Sequence, residues 1–151
     1  MPRFVEAVRA WQRESGIGPE ATLLIGFSQG AIMALESTQL PEPPAARVVA
    51  LAGRFAQAPR IAPAGQALHL LHGEQDRVMP PSLADEAARQ WRKLGGVVTL
   101  DLFPGLGHGI DARAVRRVAD HLAVAPPGRR RPFACNCKRD PRGSTSARRR
   151  P

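Results

Sequence analysis

Ser28 stands in Gly26-Phe27-Ser28-Gln29-Gly30, a G-x-S-x-G pentapeptide preceded by the apolar run Leu23-Leu24-Ile25 and followed by Ala31-Ile32-Met33-Ala34-Leu35. A serine on a sharp turn between a strand and a helix is a nucleophile elbow, in which a strained backbone lifts the hydroxyl clear of the sheet. Gly26 and Gly30, two residues to either side, have the small size needed where strand and helix pass closely. The helix after Ser28 aims free N–H groups and its positive dipole end at the place where an oxyanion would form, and the backbone N–H of Gln29 is the expected donor. A serine hydroxyl is a weak nucleophile at neutral pH. It needs an imidazole to take its proton and a carboxylate to hold that imidazole in the required tautomer.

Four histidines are available, and their surroundings differ. His108 lies between Gly107 and Gly109 in a glycine-rich loop, where a side chain can be placed for chemistry. His69 falls inside an apolar strand segment and His121 on a terminal helix, both structural or solvated positions, and His72 at a strand end is more often structural than catalytic. For the carboxylate, Asp76 in the polar loop 74–78 competes with Glu74, Asp101 and Asp111. Asp101 lies within a strand, and Asp111 is suited to cap a helix.

These residues need elements to carry them. Phe4, Val8 and Trp11 recur at helical spacing over residues 3–15, with Pro2 suited to the first helical position and Gly16 to the C-terminal cap, so the spacing predicts an amphipathic helix. Residues 21–27 form a continuously apolar strand of the kind buried on both faces of a parallel sheet. A helix then runs to about residue 37, where the Pro41-Glu42-Pro43-Pro44 segment prevents its continuation. Residues 47–52 and 67–71 read as further buried strands, separated by an irregular loop at 53–65. Ser82 with Asp85 is the expected capping pair of a helix whose stripe is Ala87, Trp91 and Leu94. Residues 97–103 alternate as an edge strand does, and Asp111 caps a last helix with Val115, Val118 and Leu122 on one face. Strands alternating with helices imply βαβ units, and ligand sites in such sheets lie beyond the C-terminal strand ends. Ser28, Asp76 and His108 all fall in those loops. Their chain order, Ser then Asp then His, is that of the α/β-hydrolase fold.

The net charge of +9 is unevenly placed. Residues 126–151 hold nine of the 22 Lys and Arg and one of the 13 acids, a net +8, which leaves +1 for the first 125 residues. Residues 1–125 are expected to be one domain. The segment 126–151, without a hydrophobic face, is expected to be disordered, and any contact with nucleic acid or an anionic surface would fall there. Cys135 and Cys137 supply two ligands, short of a zinc site. No run approaches the roughly 18 apolar residues of a membrane span, so a cytoplasmic location is expected.

The blocks Gly26-Phe27-Ser28-Gln29-Gly30, His72-Gly73-Glu74-Gln75-Asp76-Arg77-Val78 and Phe103-Pro104-Gly105-Leu106-Gly107-His108 resemble the three motif blocks of the phospholipase/carboxylesterase family, over about residues 3–122. The resemblance implies a serine esterase acting on small esters or thioesters with neither metal nor cofactor. In it, Ser28 forms the acyl-enzyme, His108 is general base and then general acid, and Asp76 orients His108. Proteins of that family are longer at the front, where several strands and an early loop that begins His-Gly supply a second oxyanion N–H. This sequence shows no counterpart, so it is expected to be an N-terminally incomplete α/β-hydrolase whose strand at 21–27 offers an open edge for self-association. The competing expectation is a non-catalytic fragment or basic-tailed binding protein.

Overall fold

Four strands, β1 (Leu23–Phe27), β2 (Arg47–Leu51), β3 (Ala67–Gly73) and β4 (Val97–Phe103), pair in parallel in the order β1-β2-β3-β4. They come from a computed structural model that describes residues 1–123, with helices α1 (Pro2–Ser15), α2 (Gln29–Ser37), α3 (Ser82–Lys93) and α4 (Ala112–Ala123). The parallel sheet of four strands flanked by helices is the architecture that the periodicity predicts. A short 3-10 turn at Pro19–Ala21 delays β1 by two residues. The expectations for residues 126–151, including Cys135 and Cys137, lie outside the described residues.

The burial of the strands follows from their composition. β2 and β3 are apolar at almost every position and are covered on both faces, as central parallel strands are. On one face, Leu35 of α2 and Trp91 of α3 close over Val48, Ala50, Leu68 and Leu70. No helix joins β2 to β3; Phe55 and Ala62 of the connecting loop cover that face instead, and the Phe55 ring stacks on Trp91 with centroids 6.0 Å apart. All three crossovers thus cover the same face, as a sheet with strands in sequence order requires when each crossover keeps the same hand. On the other face, Ala114 and Val118 of α4 lie over Val49, Leu51, Leu71 and Phe103.

Four local expectations differ from the structure. β1, expected to be buried on both faces, buries only Gly26 and leaves Ile25 and Phe27 exposed, because among the described strands it pairs on one side only, with β2. Val115 and Leu122, expected on the inner face of α4, are more than half exposed, and the stripe turned inward is Ala114, Val118 and His121. The cause lies on the sheet: Asp101 of β4 binds Arg117, and His69 of β3 stacks on His121, which fixes the rotation of the helix. Ser82 is not a cap: Pro81 occupies that position, no side chain caps α3, and Asp85 contributes only its charge to the first turn. Trp11 is 73% exposed, although Val8 on the same stripe is buried. α1 is anchored through Gln12, which donates to Thr22 Oγ1 and the Pro44 carbonyl, and through Arg9, which pairs with Glu42. That attachment leaves Trp11 beside half-exposed Ile25 in an open groove on the unpaired side of β1.

Candidate active site

The end of β1 determines where Ser28 sits. Its backbone adopts φ 52° and ψ −116°, a region that L-residues rarely occupy. The turn is held from both sides: the Ser28 N–H donates to the Leu51 carbonyl at the end of β2, and the Ser28 carbonyl accepts from Ile32 in α2. Gly26 makes this turn possible, because a Cβ there would collide with the backbone of Gly30 and Ala31. Gly30 differs from expectation. A Cβ on Gly30 would meet nothing within 4 Å, so the close approach needs a glycine on the strand side only. Gln29 is the first residue of α2, and its N–H has no acceptor within the helix.

β3 and β4 deliver the other two groups. Gly73 ends β3 where a Cβ would strike the carbonyls of Leu106 and Gly107, so its bareness lets the loop bearing His108 lie against the strand end. Two backbone bonds fasten that contact, Glu74 N–H to Phe103 O and Gln75 N–H to Leu106 O. His108 and Asp76 then come together: Nδ1 of His108 lies 2.8 Å from Oδ2 of Asp76, and its Nε2 lies 3.0 Å from Oγ of Ser28. Phe27 flanks the imidazole, with ring centroids 5.1 Å apart.

Asp76 is a buried carboxylate with three donors. Burial alone would push its pKa up, but the N–H groups of Met79 and Val78 on Oδ1, together with His108 on Oδ2, outweigh it and hold the carboxyl below its usual value. It is therefore ionised at neutral pH and accepts from the Nδ1–H of His108, which leaves Nε2 with a lone pair facing the serine hydroxyl. The rival carboxylates are elsewhere. Glu74 is exposed, Asp101 is paired with Arg117, and Asp111 accepts the N–H groups of Arg113 and Ala114 as the cap of α4. His69 and His121 lie together under α4, away from Ser28. His72 lies near the end of β3, and its ring is buried against Asp76 itself, 3.4 Å from Oδ2. Its place in the same block as Asp76, four residues earlier, was the available signal.

Among the described residues no cluster of three or more His, Cys, Asp or Glu side chains is arranged to hold a metal ion. None of the described helices is long and apolar enough to cross a membrane.

A parallel sheet with a serine elbow after one strand, and with an aspartate and a histidine in the loops after two later strands, defines the α/β-hydrolase class. Within that class the chain belongs to the phospholipase/carboxylesterase family, whose profile matches residues 1–125. It is 46% identical over 127 residues to the esterase YpfH of Escherichia coli K12, an alignment covering 84% of this chain and 55% of that protein. Among solved structures it is similar to esterase PE8, at 28% identity and a TM-score of 0.72, over 80% of this chain and 58% of that one. A carboxylesterase from Bacillus cereus shares the fold at 18% identity and a TM-score of 0.70, over 78% of this chain and 56% of that one. The chain thus spans little more than half the length of the proteins it matches.

Proposed function

We propose that this chain is a serine carboxylesterase module that cleaves small carboxylic esters or thioesters through an acyl-enzyme. The observation that carries the reading is the continuous chain of contacts from Ser28 Oγ through His108 to Asp76. In the forward step the Oγ attacks the acyl carbonyl while His108 Nε2 accepts the hydroxyl proton, and Asp76 stabilises the imidazolium that forms. The tetrahedral oxyanion is met by the Gln29 N–H and the positive end of α2. Collapse expels the alcohol or thiol, protonated by His108, and a water molecule activated by the same imidazole then releases the acid.

Hydrolysis of p-nitrophenyl acetate and butyrate and of an acetyl thioester tests the reading. The expected result is turnover that is lost in Ser28→Ala; turnover that survives the substitution would overturn it. The proposal includes self-association of two copies along β1, supported by its position at the edge of the sheet beside the exposed side chains of Trp11 and Ile25. Sedimentation at increasing concentration should show a dimer that Ile25→Lys weakens, whereas an unchanged monomer would remove this part. Contact with nucleic acid is not expected of residues 1–125, whose charge is nearly balanced.

A further inference from the structure

Asp76 is held by more than its bond to His108. Its Oδ1 is occupied by the N–H groups of Val78 and Met79, at 2.9 and 2.8 Å. Its Oδ2, which faces His108, also lies 3.4 Å from Nε2 of His72, a side chain only 1% exposed. The same nitrogen is 2.7 Å from the Met79 carbonyl oxygen. A carbonyl only accepts, so Nε2 of His72 carries a proton, and that N–H points its positive end into the corner formed by Met79 O and Asp76 Oδ2. The bond ties the far end of the 76–79 turn back to β3, the strand from which the turn departs.

We propose that His72 is a positioning residue for the Asp76–His108 pair. By clamping the Met79 carbonyl it keeps the turn closed on Oδ1 and leaves Oδ2 as the oxygen directed at His108. This inference rests on the reading of Ser28, His108 and Asp76 as a catalytic triad, and it names the further side chain that sets the triad's geometry. A histidine that merely filled space could be replaced by any polar side chain that fits. The positioning role instead requires a donor where Nε2 lies. Gln places an amide N–H2 near that point, whereas the shorter Asn reaches only as far as Nδ1.

The test compares His72→Gln with His72→Asn on the whole chain, with proton NMR of the far-downfield His108 Nδ1–H and the rate of Ser28 labelling by a fluorophosphonate as readouts. The wild type and His72→Gln should show the downfield proton. His72→Asn should lose it and label about 10- to 100-fold more slowly, the range seen when an outer hydrogen-bond partner that orients a metal-bound histidine is lost, with a melting temperature close to that of His72→Gln. Equal signals and equal labelling rates in the two variants would overturn the proposal. The wild type gives a check that needs no variant: nitrogen-15 shifts should show His72 protonated at Nε2, and protonation at Nδ1 alone would overturn it. Because the downfield proton does not depend on Ser28 reacting, a chain that shows it, loses it in His72→Asn and is never labelled would sustain the role of His72 while defeating the esterase reading.

Discussion

Asp76 and Asp101 each lie near a histidine, and each group includes a hydroxyl side chain: Ser28 on His108 in the first, Thr99 on His69 in the second. The residue types are almost the same, but the surroundings are not. Asp76 is buried, has backbone donors on one oxygen and leaves the other to His108, whose far nitrogen meets a hydroxyl on a strained turn at a helix N-terminus. Asp101 gives one oxygen to Arg117 at 2.9 Å, and its other oxygen is 3.5 Å from His121 Nε2, beyond a good hydrogen bond. His121 does not reach a hydroxyl; it stacks on His69 with centroids 3.8 Å apart. Thr99 sits within β4, with neither a free helix N-terminus nor a strained backbone. The second group holds α4 to the sheet, while the first forms an unbroken line of contacts from carboxylate through imidazole to hydroxyl. Residue composition is therefore a poor guide to catalysis without the order of contacts.

The largest expected effect separates the two aspartates. Asp76→Asn should slow Ser28 acylation by about 10⁴-fold, because an amide no longer fixes the productive tautomer of His108. Asp101→Asn should leave that rate within about twofold and cost at most about 1 kcal/mol of stability, as partly exposed ion pairs do. Fluorophosphonate labelling rates and urea melts check both. If the two substitutions slowed acylation equally, the distinction between the groups would collapse.

A second contrast lies in the elbow that supports the first group. Gly26→Ala forces a methyl against the backbone of Gly30 and should destabilise the chain by about 1–3 kcal/mol or more, with loss of labelling. Gly30→Ala meets open space in the first turn of α2 and should be neutral or stabilising by up to about 1 kcal/mol. Urea denaturation of the two variants gives the comparison, and similar losses in both would show that the approach of strand to helix is not as described.

The smallest effect sharpens the second group. Burial, followed by the nearby charges of His121 and Arg47, lowers the pKa of His69 from 6.5 to about 4. Between those values the unfolded chain binds a proton that the folded chain refuses, so stability falls as pH is lowered from about 6.5 towards 4. His69→Gln should flatten that part of the stability profile, measured as the difference from wild type in urea melts at pH 7, 5.5 and 4.5. A difference independent of pH would mean that His69 titrates alike in both states.

What could be read from the sequence was whatever local chemistry forces. Gly26-Phe27-Ser28 after an apolar run fixes a strand and a turn, and the breaker residues near 41–44 and 104–109 fix where α2 ends and where the His108 loop lies. The parallel sheet and the placing of Ser28, Asp76 and His108 beyond strand ends followed from the alternation of strands and helices, whereas the strand order is known only from the structure. Facing was less legible because it depends on distant partners. The rotation of α4 answers to Asp101 and His69, and the exposure of Trp11 answers to the anchoring of Gln12 and Arg9. The steric need at Gly26 but not at Gly30 depends on the direction of two Cα–Cβ bonds, which spacing does not encode. The contact of His72 with Asp76 depends on a turn that doubles back by four residues.

The most direct measurement is the intact mass of the purified chain after exposure to a fluorophosphonate, beside a Ser28→Ala control. A single adduct that is absent from the control is the predicted result and would place an activated nucleophile at the end of β1. No adduct on a chain shown to be folded, or an equal adduct on Ser28→Ala, would contradict the claim that Ser28, His108 and Asp76 act as one catalytic unit.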